Sequence, residues 1–291
     1  VRILVTGASG LLGGRLAALL GPHRVVAARH AKPTLGGQEE VPLDLRSSES
    51  IESAVGRARP DAIVHCAALA DADRCEADPE EARRLNAEAP ALLARRCRRL
   101  GVKLIAVSTD LVFDGSRSFV RETDPARPIL VYGRTKLAGE DAVLSEHPDA
   151  AVVRVALLHG RGCGPRASAS EAVAWGLRAG RPFRMFTDQY RTPVDPESVA
   201  QALRRLLDGS ARGRFHLGGA LRVSRHELAL RVARLFGLSP EPIGAVRQAD
   251  HPLGAPRPAD VSLDSGRARR ELGWAPRPLD DGLRESRLVP E

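Results

Sequence analysis

The opening segment, VRILVTGASGLLGG, constrains this chain more than any other part of it. RILVT reads as a buried strand, and a glycine turn leads at once into a helical pattern. Gly7, Gly10 and Gly13 stand in GxxGxxG spacing. At a strand-to-helix junction such glycines allow a tight turn, let backbone approach a pyrophosphate and let the helix pack close to the sheet, while its free N–H groups hold the anion. Ser9, Leu11 and Leu12 lie in the same turn and are expected beside the cofactor with the glycines. An ordinary glycine-rich turn has the same composition; the position at the first strand-to-helix junction favours a dinucleotide site.

Short apolar runs then alternate with helical patterns, the signature of βαβ units. Strands read at 2–6, 24–28, 40–43, 62–67, 102–108 and 151–158, with helices at 11–20, 47–58, 79–100 and 132–144. Pro90, inside the third helical stretch, predicts a kink or break there. The expected fold is α/β: a doubly wound, Rossmann-like parallel sheet with a smaller α/β C-terminal lobe. Residues 1–158 are expected to form the NADP(H)-binding domain. Residues 159–291, with helices at 169–180, 195–208, 224–236 and 265–272, are expected to form a substrate lobe, some of whose segments return to the first domain, with a cleft between the two.

The 291 residues are 43% hydrophobic, ample for a core, and carry a net charge of +8. Arginines are scattered with acids interleaved and aromatics are only 3%, so nucleic-acid binding is not expected; a basic cleft for anionic nucleotides uses the charge better. No run approaches the roughly 18 apolar residues of a membrane helix. The first residues already read as a strand, so no signal peptide is expected. Cys66, Cys75, Cys97 and Cys163 form no CxxC and no zinc ladder, so they are expected to be packing residues in a reduced, cytoplasmic setting.

Cofactor preference is legible at the end of the second strand, where an NAD site offers a carboxylate to the ribose 2′-hydroxyl. The chain has Arg29 and Lys32 there and no acid. Two cations suit a 2′-phosphate, hence NADPH, with NADH as the alternative.

The chain has two tyrosines, Tyr132 and Tyr190, and three lysines, Lys32, Lys103 and Lys136. One of each falls in YGRTK at 132–136, on one helical face. A phenol titrates near 10, and a nearby ammonium is expected to bring it into working range so that Tyr132 donates a proton to a carbonyl as hydride arrives. Lys136 is also suited to hold the cofactor's ribose hydroxyls. AVSTD delivers Ser108, Thr109 and Asp110 to the carboxyl edge of the sheet, where a hydroxyl can hold the same carbonyl oxygen.

Together with Asp44 and Leu45 after the third strand, CAA at 66–68, Asn86, STDLVFDG at 108–115 and YGRTKLAGE at 132–140, these motifs resemble the extended short-chain dehydrogenase/reductase superfamily, and within it the dTDP-4-dehydrorhamnose reductase family. DQYRTPVDPESVA, GRFHLGG and GAPRPADVSLD extend the resemblance over essentially the whole chain. It implies Thr109, Tyr132 and Lys136 as catalytic residues, with Asp44, Leu45, Ala67, Ala68 and Ser108 lining the cofactor site. Asp110, Val112, Phe113, Gln189, Arg191 and Arg257 are the substrate candidates. Leu111 stands where the family usually has tyrosine. Arg15 stands where some members have a metal-binding glutamate, so no metal is expected.

Nucleotide-sugar 4,6-dehydratases place a glutamate after the Thr-Asp pair; Leu111 argues against dehydration and leaves a reductase or an epimerase, of which the resemblance favours the reductase. The implied activity is NADPH-dependent reduction of the 4-keto group of a nucleotide-linked 4-keto-6-deoxy sugar, as in dTDP-rhamnose biosynthesis. The sequence is also similar to the NADP-binding beta subunit of methionine adenosyltransferase, which makes a regulatory, partner-binding role the alternative. A homodimer and a complex with a partner enzyme both stay open.

Overall fold

A computed structural model of the chain describes residues 1–20, 23–30, 38–162, 167–251, 254–286 and 288. The chain runs β1 (Arg2–Thr6), α1 (Gly13–Leu19), β2 (Arg24–Arg29), β3 (Glu39–Pro42), α2 (Ser48–Ala58) and β4 (Ala62–His65). Helices α3 (Ala72–Ala77) and α4 (Pro79–Arg83) follow, then a π-helical turn at Arg84–Glu88, α5 (Ala89–Leu100), β5 (Lys103–Thr109), α6 (Val131–Glu146) and β6 (Ala151–Val155). The remainder is α7 (Ala169–Arg178), β7 (Phe183–Phe186), β8 (Tyr190–Arg191), α8 (Pro196–Asp208), β9 (Gly213–Leu217), β10 (Val223–Ser224), α9 (Arg225–Leu235), β11 (Ile243–Val246), α10 (Gly266–Leu272) and α11 (Leu279–Glu285).

Seven parallel strands form the main sheet in the order β3-β2-β1-β4-β5-β6-β9. Chain order reverses between β1 and β4, and the crevice at the carboxyl ends of these strands is where such sheets bind nucleotides. Helices cover both faces, so β4 and β6 are buried along their whole length. One face packs Leu16, Leu203, Phe215 and Trp274 against Ile3 and Val153; the other packs Ile51, Leu93 and Val143 against Leu4 and Val152.

The division at residue 158 is crossed several times. β9 extends the sheet beyond β6, α8 packs on α1 with Arg15 paired to Glu197, and Trp274 donates its indole N–H to the Ser198 carbonyl at 2.7 Å. The rest of the C-terminal half forms a lobe with its own core of Val173, Leu228, Val232 and Leu283 under α7, α9 and α11. Two small ladders belong to this half: parallel β7–β11 and antiparallel β8–β10.

Pro90 does not break the helix. The expected distortion is the π-helical turn at Arg84–Glu88, just before it. Proline cannot donate to the carbonyl one turn back, that of Asn86, and the widened turn accommodates the missing bond. Among the described residues no helix is long and apolar enough to cross a membrane, and no three His, Cys, Asp or Glu side chains are grouped to hold a metal ion.

Candidate active site

Gly7 has φ +68°, and a Cβ there would lie 2.7 Å from the backbone N of Ala67. A Cβ on Gly13 would overlap the Gly7 carbonyl, which accepts the Gly10 N–H at 2.9 Å. The turn after β1 and the loop after β4 therefore close on one another only because side chains are missing between them. Thr6 ties the same two segments, its Oγ1 accepting the Ala67 N–H at 3.2 Å and bonding His65 Nδ1 at 2.7 Å. Such a cradle fits the phosphates of a dinucleotide. Ser9, Leu11, Ala67 and Ala68 are half-buried along it, whereas the Leu12 side chain is packed into the main core. Leu12 can thus serve the site through its backbone only.

Arg29 at the end of β2 and Arg46 after β3 each have an acidic neighbour. Arg29 pairs with Glu40 at 3.0 Å, and Arg46 grips both Asp44 oxygens at 2.8–2.9 Å beside His30. Arg46 was not a sequence candidate, although the Asp-x-Arg spacing after the third strand was its signal. Its guanidinium holds the Asp44 carboxyl well below the usual carboxylate range. Leu45 packs partly on the core beneath. Lys32 lies outside the described residues.

Thr109, Asp110, Tyr132 and Lys136 are brought together and buried. Helix α6 approaches the end of β5 closely because position 133 is glycine, where a Cβ would overlap the Leu111 carbonyl. Glu76 accepts the Val131 N–H at 2.8 Å at the start of α6. Thr109 Oγ1 accepts the Leu111 N–H and donates to Asp110 Oδ1, both at 3.2 Å. Burial pushes the Tyr132 phenol above its ordinary value; nearby Asp110 adds to this and the Thr109 hydroxyl opposes it. Lys136 Nζ donates to the Val107 carbonyl at 2.8 Å. The expected lowering of the phenol by the ammonium is therefore not the balance found: burial and Asp110 win. A neutral phenol is the form that donates a proton.

Burial lowers the Lys136 ammonium to about 8 despite the attraction of Glu140 one turn on. Glu140 itself was missed among the candidates, although it ends the YGRTKLAGE motif. Its carboxylate accepts Ser108 Oγ at 2.6 Å, Arg154 Nη2 at 2.7 Å and Arg214 Nε at 3.0 Å. Ser108, expected at the cofactor, thus spends its hydroxyl on this buried network.

Several substrate candidates are placed otherwise than expected. Val112 and Phe113 are in the core, and Phe113 is enclosed by the His216 ring and the Arg154 guanidinium, so their side chains do not face a ligand. Arg191 is buried and donates to the carbonyls of Tyr190, Pro258 and Ala259. Gln189 donates to Gln248 Oε1 at 3.1 Å. Arg257 pairs with Asp73 at 3.0 Å at the rim of a cavity of about 270 Å³ that Glu76, Gly254 and Ala255 also line. Among the cysteines, Cys75 and Cys97 are buried, Cys66 is half-buried with its thiol pushed up to about 12, and Cys163 lies outside the described residues.

A glycine cradle at the switch point of a parallel sheet, with a buried phenol and ammonium one strand away, belongs to an NAD(P)-dependent oxidoreductase of the short-chain dehydrogenase/reductase type. More narrowly, the chain belongs to the RmlD substrate binding domain family, whose model matches residues 1–287. It is 35% identical over 292 residues to a probable low-salt glycan biosynthesis reductase of Haloferax volcanii, covering 96% of this chain and 95% of that one. It is 34% identical over 297 residues to methionine adenosyltransferase 2 subunit beta of Bos taurus, covering 98% and 86%. A solved structure described as a hypothetical dTDP-4-dehydrorhamnose reductase from Sulfolobus tokodaii superposes with a TM-score of 0.86 at 33% identity, covering 97% of this chain and 99% of that one.

Proposed function

We propose that the protein reduces the 4-keto group of a nucleotide-linked 4-keto-6-deoxy sugar, with NADPH preferred over NADH. The observation that carries this reading is the burial of Thr109, Tyr132 and Lys136 together at the carboxyl edge of β5. The Gly7–Gly13 cradle would hold the cofactor's phosphates, and Arg29 and Arg46 its adenosine ribose. When bound, the nicotinamide supplies a hydride. Tyr132, kept neutral by burial and by Asp110, gives its proton to the ketone oxygen. Thr109 orients that oxygen. Lys136, held one turn from Tyr132 by Val107, reaches the nicotinamide ribose.

Likeness to the adenosyltransferase subunit supports a second reading, in which the chain binds the cofactor and serves a partner enzyme. One experiment separates the two. The protein is mixed with NADPH and a panel of nucleotide 4-keto sugars while NADPH absorbance is followed. Oxidation with a member of the panel, reduced about 100- to 10,000-fold in Tyr132→Phe with NADPH affinity kept, supports the reductase. No oxidation with any of them, or near-normal turnover in the variant, overturns it.

A further inference from the structure

The arginines nominated for the substrate's anionic groups are engaged elsewhere, Arg191 with three carbonyls and Arg257 with Asp73 and the Ala255 carbonyl. Arg225 is different. It is the first residue of α9, fixed by its backbone N–H on the Gln189 carbonyl at 3.0 Å and by the pairing of Ser224 with Tyr190. Ser224 and Glu227 lock that helix start in a capping box, so the residue cannot drift. Its side chain is only partly exposed, yet its guanidinium makes no hydrogen bond or ion pair among the described residues. It lies near enough to Arg191 to be repelled and to Asp110 to be attracted, and burial lowers it to about 10. Asp110 in turn has one buried carboxylate oxygen, Oδ2, without a hydrogen-bond partner among the described residues, and adjoins Thr109 and Tyr132.

A desolvated arginine beside a second arginine costs stability unless an anion joins it. A guanidinium with its fork free matches two oxygens of one phosphate. A hexose ring with its keto carbon at Tyr132 projects its anomeric phosphate away from that residue, and Arg225, without a bonded partner among the described residues, is a cation of the lobe available to meet it. We propose that Arg225 is the anion anchor of the substrate, taking a phosphate of the nucleoside diphosphate, while Asp110 Oδ2 is left to accept a sugar hydroxyl. This inference rests on the reductase reading for the sugar, but not for the anion.

The test uses the full chain with Arg225→Met and Arg225→Lys. Calorimetric titration with UDP, dTDP and inorganic pyrophosphate should show binding to the unaltered protein, weakened about 10- to 100-fold in the Met variant and partly restored by Lys. NADPH affinity and melting temperature should not fall. With a sugar that is turned over, KM should rise by a similar factor with kcat changed much less. Equal diphosphate affinity in the Met variant, or no binding of any of the three probes by the unaltered protein, overturns the anchor. Loss of diphosphate binding in the variant, when no keto sugar is reduced at all, supports the anchor and overturns only the reductase reading.

Discussion

Glu140 of α6 and Arg154 of β6 form a forked ion pair inside the sheet–helix interface, with Nε and Nη2 of the arginine donating to the carboxylate at 3.0 and 2.7 Å and both side chains at most 3% exposed. Removing one partner of such a buried pair leaves the other charge uncompensated. Glu140→Gln should therefore cost about 3–5 kcal/mol in denaturant unfolding. Adding Arg154→Met should return part of that loss, because the stranded guanidinium is gone. The Glu140 charge also opposes the burial that lowers the Lys136 ammonium. If turnover needs that ammonium, the alkaline fall in activity should move to lower pH in Glu140→Gln, a shift that loss of stability alone would not produce.

Lys103 explains why one of the three lysines sits where it does. Its ammonium donates to the carbonyls of Leu206, Leu207 and Gly209, capping the end of α8 from the neighbouring strand β5. A compact cation with three donors can point into three converging carbonyls; a planar guanidinium cannot do so without moving the helix. Lys103→Met should lower unfolding free energy by about 1–3 kcal/mol, and Lys103→Arg should recover only a fraction. Full recovery by arginine in thermal melts would show that charge alone matters there.

The parts of the site carried by local pattern were legible in the sequence. The GxxGxxG turn and YGRTK are read from spacing, and both fall where βαβ periodicity puts them. What escaped was decided by partners far away in sequence. Phe113 looks like a site residue in STDLVFDG, but the arrival of Arg154 and His216 encloses it in the core. Arg191 looks like an anion ligand until the loop at 258–259 presents its carbonyls. The return of C-terminal segments to the first domain is expected from the sequence; that β9 is the one to do so is decided by the open edge of β6, which Phe215 and Leu217 reach. Single arginines in an arginine-rich chain carry little positional signal: Arg46 has only its spacing from Asp44, and Arg225 differs from its neighbours only once the fold has placed it.

The proposed preference for NADPH rests on charge at the ends of β2 and β3. Because Arg46 is held by Asp44 and Arg29 by Glu40, each cation is positioned but partly compensated. Arg46→Ala should weaken NADPH binding about tenfold, the worth of one exposed charge-assisted contact, and leave NADH nearly unchanged. Fluorescence titration of both cofactors checks this, and equal loss for the two would mean that Arg46 does not meet the 2′-phosphate.

Asp110 ties the chemistry to stability through pH. Burial raises its folded pKa to about 6, against 3.8 for the ordinary group, even with Arg191 and Thr109 pulling the other way. The folded state then binds more protons than the unfolded state between these values, so stability falls as pH rises from about 4 to about 6. Above that window the folded chain carries the full cost of a desolvated carboxylate, about 3 kcal/mol by linkage. Asp110→Asn preserves the acceptor for the Thr109 hydroxyl and removes the charge. It should raise the melting temperature clearly near pH 8 and hardly at all near pH 4, where the native carboxyl is mostly protonated in the folded state. The same change removes a charge that holds the Tyr132 phenol up, so the variant should also shift any alkaline loss of turnover due to Tyr132 ionisation to lower pH. A stability gain independent of pH would show that Asp110 ionises normally in the folded protein and that its charge does not control the phenol.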